Sequence, residues 1–159
     1  MNRIGNGYDS HRVVKGRELW LGCVHFDDAE VGLEGHSDAD VVAHAICDAL
    51  LGAAGLGDIG DHFPDTDPNY QGYPGHKFLE AVVDLVYDAG YDIVNVDCVV
   101  LSDVVRLGER KKEMVVAIAA SLDVDESQVN VKATTNEGRG AVGRGEIIAC
   151  EAVALVEGD

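Results

Sequence analysis

Three residues of types that bind metal ions are the first candidates for chemistry in this sequence. Asp9 and His11 stand two positions apart, so on an extended chain their side chains point to the same side. His44 lies inside an apolar helical stripe, with Asp40 four residues before it and Asp48 four residues after it. Asp9, His11 and His44 together would offer one oxygen and two nitrogen ligands and leave a fourth position open, as in catalytic zinc sites.

The residues around these candidate ligands are compatible with a metal site and also with a site that holds no metal. Asp40 and Asp48 could each accept a hydrogen bond from the His44 ring and so fix its tautomer. Taken separately, however, Asp9 and His11 are equally compatible with a simple hydrogen bond at a strand end. A lone histidine on an apolar helix face is more often a core residue than a ligand.

An acidic loop is the second candidate region. Residues 58–67 (DIGDHFPDTD) hold four carboxylates in ten positions. A solvated turn capped by aspartates would explain the pattern. Recognition of sugar hydroxyls, or coordination of Mg²⁺ by oxygen ligands, would explain it as well. The residues alone leave these alternatives open.

A glycine-rich turn is the third candidate region. Thr134, Thr135, Asn136 and Glu137 end a predicted strand and open a turn that ends at Arg144. Hydroxyls, backbone N–H groups and a guanidinium suit phosphate oxygens. Glu137 would repel phosphate unless a cation lay between them, which makes it a candidate ligand for a hard metal such as Mg²⁺. An ordinary hairpin turn is the alternative.

The hydrophobic pattern predicts the elements that must position these groups. It predicts strands over 19–26, 93–101, 129–134 and 147–156, and helices over 38–53, 76–89 and 109–122, with a loop over 55–75. Ser37 is the predicted cap of the first helix, and Gly90 follows the predicted end of the second. Residues 3–8 are too short to classify on their own.

This alternation predicts an α+β fold, an α/β layer in which helices pack on one face of a small mixed sheet. The length predicts a single domain over 1–159. The exposed edges of so small a sheet favour oligomerisation.

Charge and composition exclude several classes of function. The 159 residues carry 29 Asp+Glu against 12 Lys+Arg, a net charge of −17. That balance argues against nucleic acid or an anionic membrane as the partner. No apolar run is long enough for a membrane span, and no signal peptide is visible. Four cysteines without a CxxC pair fit a reducing cytoplasm. An ordinary acidic surface and adaptation to a high-salt host explain the charge equally well.

Several motifs, in order along nearly the whole chain, resemble those of the 2-C-methyl-D-erythritol 2,4-cyclodiphosphate synthase family. They are Gly5–His11 (GNGYDSH), His36–Asp40 (HSDAD), Asp48–Gly52 (DALLG), Leu56–Gly60 (LGDIG), Phe63–Asp67 (FPDTD), Val131–Thr135 (VKATT) and Gly143–Glu146 (GRGE).

The resemblance implies a homotrimer with active sites between neighbouring subunits. It implies Zn²⁺ at Asp9, His11 and His44, and Mg²⁺ or Mn²⁺ near Glu137. The implied substrate is 4-diphosphocytidyl-2-C-methyl-D-erythritol 2-phosphate. Its 2-phosphate attacks the β-phosphate, CMP leaves, and 2-C-methyl-D-erythritol 2,4-cyclodiphosphate forms, a precursor in the non-mevalonate route to isoprenoids.

The resemblance also implies roles for single residues. The transition state would be stabilised by His36 and Thr135. The substrate would be bound by Asp9, His11, His36, Ser37, Asp58, Ile59, Gly60, Phe63, Pro64, Asp65, Thr66, Asp67, Ser102, Arg106, Gly108, Ala133, Thr134, Thr135, Asn136, Glu137 and Arg144.

Two other classes of function fit the same residues. In a metal-dependent phosphodiesterase or phosphatase, water would replace the internal phosphate as the nucleophile. In a non-catalytic nucleotide-binding trimer, the fold would remain without the chemistry. The complete set of Asp9, His11, His44 and Glu137 argues against the second of these.

Overall fold

A five-stranded mixed sheet forms the centre of the computed structural model, which describes residues 1–159. The strands are β1 (Asn2–Lys15), β2 (Trp20–Leu21), β3 (Val24–His25), β4 (Val31–Leu33), β5 (Tyr91–Leu101), β6 (Val129–Thr134) and β7 (Ile147–Gly158). The α-helices are α1 (Val41–Ala54), α2 (Ile59–His62), α3 (Gly75–Asp88), α4 (Arg110–Leu122) and α5 (Gly140–Gly143). Short 3₁₀ helices span Pro68–Tyr70 and Glu126–Gln128.

The strand order in the main sheet is β4-β1-β7-β5-β6. Only β5 and β6 pair in parallel, and every other neighbouring pair is antiparallel. Because α4 carries the chain from β5 back to β6, the parallel pair has the crossover helix that such a pair needs.

The helices cover one face of the sheet and leave the other open. On β7, Cys150, Ala152 and Ala154 are buried in the core, while the intervening Val153 is half exposed. On β1, Tyr8 is exposed as well. Side chains alternate between the two faces of a strand, so this pattern separates a covered face from a bare one. The predicted α+β architecture, with helices packed on one face of a mixed sheet, is confirmed.

Most predicted elements are confirmed to within about two residues, but the strand over 19–26 is wrong. It is a hairpin of two short strands, β2 and β3, which form their own two-stranded sheet. The turn between them places both Gly22 and Cys23 at positive φ, 58° and 65°. Two consecutive residues at positive φ are typical of tight hairpin turns.

The start of the first helix also differs from the prediction. Asp40 caps α1, with its carboxylate accepting from the N–H groups of Val42 and Ala43. Ser37 does not cap the helix, because its hydroxyl accepts from Ala39 instead. Ala39 lies in the left-handed region at φ 58°, so helical geometry cannot begin before it.

The loop predicted over 55–75 contains local structure. Asp58 and Asp61 form a capping box at the start of α2, and Asp67 caps the 3₁₀ helix that follows. The glycine-rich turn likewise contains α5. No helix in the structure combines the length and the apolar character that crossing a membrane requires.

Candidate functional site

The close approach of α1 to β1 brings the predicted metal ligands together. Gly5 and Gly7 lie on the same side of β1 as Asp9 because they are separated from it by even numbers of residues. A Cβ on either glycine would lie 2.0 Å from a backbone carbonyl oxygen of α1. Only glycine permits this approach, which places His44 of α1 beside Asp9.

Three ligand atoms converge at this contact. Asp9 Oδ2 lies 2.9 Å from His11 Nε2 and 3.1 Å from His44 Nδ1, and the two nitrogens are 3.3 Å apart. All three side chains are largely buried but keep some exposure, 26% for Asp9, 20% for His11 and 12% for His44. They form a group that could hold a divalent metal ion. One carboxylate and two imidazoles form a donor set that suits Zn²⁺ with an open position.

The outer nitrogens of both rings have partners in the protein. His11 Nδ1 lies 2.8 Å from the Glu34 carbonyl oxygen, which requires that nitrogen to donate its proton. His11 Nε2 is therefore free to accept a metal ion. His44 Nε2 lies 3.3 Å from the Ser37 hydroxyl. Such outer partners fix ring orientation and tautomer in metal sites.

The predicted role of Asp40 and Asp48 as partners of His44 is wrong. The Asp40 carboxylate is fully buried and accepts four backbone N–H groups, two from the β2–β3 turn and two from the first turn of α1. Asp48 accepts from Ile59 N at 2.8 Å. Both carboxylates therefore fix backbone, and Ser37 takes the place that they were expected to fill.

Asp9 and the two histidines stabilise each other's charged forms. Burial raises the pKa of Asp9, but hydrogen bonds and positive charge from His11 and His44 outweigh burial and lower the pKa to about 2. Burial lowers the pKa of His11, yet the hydrogen bond and charge of Asp9 outweigh it and raise the pKa. Asp9 is therefore anionic at neutral pH, the form in which a carboxylate binds metal.

A pocket of about 470 Å³ opens beside this group. It contains several predicted substrate-binding residues together with others that sequence reasoning missed. The predicted ones are Asp9, His11, His36, Ser37, Ile59, Gly60, Phe63, Pro64 and Asp65, and the missed ones are Gly35, Asp48, Tyr70 and Phe78. Asp58, Thr66 and Asp67 do not line this pocket.

An aromatic cluster forms one wall of this first pocket. The Phe78 ring packs edge-on against His44, with 5.5 Å between centroids, and against Phe63 at 5.3 Å. Tyr70 packs edge-on against Phe63 at 5.5 Å. Phe78 lies in the helix predicted over 76–89, and nothing in the sequence links it to a metal ligand.

The predicted catalytic histidine is held from two directions. His36 Nε2 lies 2.9 Å from the Asp67 carbonyl oxygen. The Arg17 guanidinium donates to the carbonyl oxygens of Gly35, at 2.7 Å, and Ser37, at 3.0 Å, on either side of His36. Arg17 was not among the predicted site residues, because nothing in the spacing links it to a segment some twenty residues later.

A second pocket, of about 330 Å³, lies at the end of β5 and β6. It brings Ser102, Arg106 and Gly108 together with Ala133, Thr134 and Thr135, as the predicted substrate contacts require. The other residues that line it are Val105 and Leu107. Arg144 does not line it, and its guanidinium instead pairs with Glu146 at 2.7 Å.

The two pockets are separate within one chain. Asp9 aligns with Cys150 on β7, Cys150 with Val100 on β5, and Val100 with Ala133 on β6. Three strand spacings of about 4.8 Å therefore place Ala133 roughly 14 Å from Asp9 across the sheet.

The turn after β6 does not offer the backbone N–H groups that were expected to bind phosphate. The N–H groups of Asn136 and Gly138 donate to the Asp103 carboxylate, and that of Glu137 donates to the Thr135 hydroxyl. These backbone groups are already occupied, so they are not available to bind phosphate. The Glu137 side chain is 78% exposed. A single exposed carboxylate suits a Mg²⁺ ion that takes its remaining ligands from phosphate and water.

The fold and the site together define an α+β protein in which three metal-binding side chains open onto a pocket. Comparison with known proteins identifies the family. The sequence model of the YgbB family matches residues 2–157. The chain belongs to that family, and the resemblance carried by the motifs is confirmed.

Named relatives agree with this assignment. The 2-C-methyl-D-erythritol 2,4-cyclodiphosphate synthase of Desulfosudis oleivorans is 54% identical over 154 residues, which cover 97% of this chain and 91% of that protein. The solved CDP complex of IspF from Plasmodium falciparum has a TM-score of 0.85 at 35% identity, covering 99% of this chain and 97% of that one. The bifunctional IspDF from Campylobacter jejuni has a TM-score of 0.95 at 39% identity; this chain is covered completely but spans 43% of that protein.

Proposed function

We propose that this chain is a 2-C-methyl-D-erythritol 2,4-cyclodiphosphate synthase, a phosphorus–oxygen lyase. The observation that carries the proposal is the convergence of Asp9, His11 and His44 on one point at the mouth of a pocket, in a chain 54% identical to a synthase of that name. The substrate is 4-diphosphocytidyl-2-C-methyl-D-erythritol 2-phosphate.

The reaction needs positioning more than acid–base chemistry. An oxygen of the 2-phosphate forms a bond to the β-phosphorus, and the bond from that phosphorus to the bridging oxygen of the α-phosphate breaks. The electron pair leaves with CMP, and the cyclic diphosphate remains. Since the nucleophile is already an anion, the protein must align two phosphates and offset their charge.

The ligands described above would hold two cations. Asp9, His11 and His44 would hold Zn²⁺, and Glu137 would hold Mg²⁺ or Mn²⁺ with the diphosphate. When bound, these cations offset phosphate charge and stabilise the leaving CMP. Thr135, just after β6, would donate its hydroxyl proton to a phosphate oxygen as charge develops on it. His36 donates from Nε2 to the Asp67 carbonyl oxygen, so it would donate to a phosphate oxygen from Nδ1, as an imidazolium. Arg17 fixes the backbone on either side of His36.

The two pockets divide the substrate between them. The first pocket, lined by Ile59, Gly60 and residues 63–65, would take the methylerythritol and its phosphates. The second pocket would take cytosine and ribose between residues 102–108 and 133–135. A cytidine nucleotide is also the ligand of the Plasmodium falciparum relative. Asp58, Thr66, Asp67, Asn136 and Arg144 would contact substrate at the rims of these pockets.

A homotrimer would join pockets that one chain keeps apart. The first pocket of one subunit would meet the second pocket of its neighbour, which removes the roughly 14 Å gap across the sheet. The open sheet face supports this arrangement, because Tyr8 and Val153 are half exposed there, and such apolar surface is commonly an interface. A closed ring of three copies would repeat the same contact three times.

The domain extent and the cellular location are inferred from the same chain. We infer one cyclodiphosphate synthase domain over 1–159 and a cytoplasmic location. All four cysteines are free thiols, which supports a reducing compartment.

Phosphorus NMR of the purified protein with substrate, Zn²⁺ and Mg²⁺ tests the proposal. Resonances of CMP and of the cyclic diphosphate, as the only products, would support it. CMP together with linear phosphate esters would indicate a phosphodiesterase. Nucleotide binding without turnover would indicate a binding protein, and either result would overturn the proposed reaction.

A further inference from the structure

Three consecutive N–H groups after β6 are directed at acceptors within the protein. Asn136 N donates to Asp103 Oδ1 at 2.7 Å, and Gly138 N donates to Asp103 Oδ2 at 3.0 Å. Between them, Glu137 N donates to Thr135 Oγ1 at 3.3 Å. One carboxylate thus holds the N–H groups of the two residues that flank Glu137.

The backbone of this segment is strained at Glu137. Its φ is 51°, in the left-handed region that a residue with a side chain rarely adopts. Such a conformation is unfavourable and persists only where surrounding contacts enforce it. The two charge-assisted hydrogen bonds to Asp103 supply that enforcement, since bonds of this kind are the stronger ones in proteins.

Asp103 is itself fixed by the wall of the second pocket. The Ser102 hydroxyl accepts from Val104 N at 3.3 Å and from Val105 N at 3.0 Å, which shapes the turn that presents Asp103. Ser102 N donates to the Thr134 carbonyl oxygen at 3.0 Å. Asp103 therefore couples the wall formed by residues 102–108 to the segment that carries Thr135 and Glu137.

We propose that Asp103 is a positioning residue that fixes the direction of Glu137, so that its carboxylate meets the divalent cation of a bound nucleoside diphosphate. The inference rests on the proposed function in two respects, the nature of the nucleotide and the role of Glu137 as a ligand of its cation. Asp103 contacts neither cation nor phosphate in this account, because both of its oxygens are occupied by backbone N–H groups.

The variant Asp103→Asn tests this role with little change in volume. Asparagine keeps one acceptor oxygen and places an NH₂ group against the other N–H, so one of the two bonds is lost. Asp92→Asn is the matched control, since Asp92 lies at the start of β5, the strand that precedes Asp103, is exposed, and makes no side-chain hydrogen bond in the structure. Thermal unfolding establishes that both variants are folded.

The decisive readout is calorimetric binding of two nucleotides. CDP with Mn²⁺ depends on Glu137, whereas CMP without a divalent cation depends only on the second pocket. We expect Asp103→Asn to weaken CDP binding with Mn²⁺ about tenfold and to leave CMP binding unchanged. Amide hydrogen exchange at Asn136 and Gly138 should accelerate in the same variant.

Two results would overturn the inference. Equal weakening of both nucleotides would show that Asp103 only maintains the pocket, and unchanged binding of both would show that Glu137 does not need it. These binding measurements do not require turnover. Failure of the wild-type protein to form the cyclic product would therefore count against the proposed function and would be distinguishable from failure of the Asp103 inference.

Discussion

The metal-ligand group (Asp9, His11 and His44) and the segment after β6 that would face the nucleotide (residues 135–138, the nucleotide-side segment) differ in how far a single chain completes them. Asp9, His11 and His44 touch one another, are largely buried, and have partners for their outer ring nitrogens. Thr135 and Glu137, by contrast, lie exposed at the end of the edge strand β6. One half of the site is thus assembled by folding, whereas the other half is presented at an edge.

The difference arises from what each half is built on. The metal-ligand group depends on a strand and a helix in backbone contact, which glycines on β1 make possible. The nucleotide-side segment depends on a turn held by the Asp103 side chain. Rigid elements fix a constellation more tightly than a turn does. We therefore expect substitutions to affect metal content in the first region and nucleotide affinity in the second.

The largest expected effect is that of His44→Ala. Removal of one of three ligands should abolish stoichiometric zinc binding and lower the rate of CMP release by about a thousandfold or more, because the charge that zinc offsets is left uncompensated. Metal analysis and a CMP assay measure both effects. His76→Ala on α3 is the control and should keep its zinc. Full zinc content in His44→Ala would contradict the assigned ligand set.

The next largest effect is expected for Gly7→Ala, which tests the contact between β1 and α1. The new Cβ would lie 2.0 Å from the Ala45 carbonyl oxygen, so α1 must move away. Such overpacking destabilises proteins by about 1–3 kcal/mol, and the displacement should also weaken zinc binding. Denaturant unfolding and zinc titration measure the two effects.

Gly52→Ala in α1 is the matched control for this substitution. Its Cβ would find no atom nearer than 3.9 Å, so the helix should be unchanged or slightly stabilised. Equal behaviour of the two variants would show that the close approach does not determine the metal geometry.

A smaller effect is expected for Ser37→Ala. The change removes the partner of His44 Nε2 but leaves all three ligands in place. Loss of such an outer partner weakens metal binding by about 10–100-fold. Competition with a chelator of known affinity measures the change, with Ser121→Ala on α4 as the control. An unchanged zinc affinity would mean that the ring of His44 is oriented by packing alone.

The metal ligands could be predicted from the sequence, whereas the residues that orient them could not. The two-residue spacing of Asp9 and His11, and the helical position of His44, placed three side chains that the structure brings together. Asp40 was misjudged because a carboxylate four residues before a histidine faces it only if both lie within the helix. Here Asp40 caps the helix, and its carboxylate turns to the backbone.

Contacts between residues far apart in the chain left no pattern in the local sequence. Asp103 and the turn it holds are separated by more than thirty residues, and Arg17 is separated from Ser37 by twenty. Their contacts depend on which strands become neighbours, and that is a property of the folded chain. The hairpin at Gly22 and Cys23 was missed for a related reason, since cysteine rarely adopts the positive φ that the turn requires.

Mixing two inactive variants tests the central claim, that neighbouring subunits complete each other's sites. His44→Ala damages the metal-ligand half, and Thr135→Ala damages the nucleotide-side half. When the two chains are co-expressed with different tags and purified as mixed trimers, each trimer should contain one site that combines two undamaged halves, which is about one third of the sites. The account predicts that CMP release recovers to about that fraction of the wild-type rate. Activity no higher than that of the separate variants would place both halves in one chain and contradict the account.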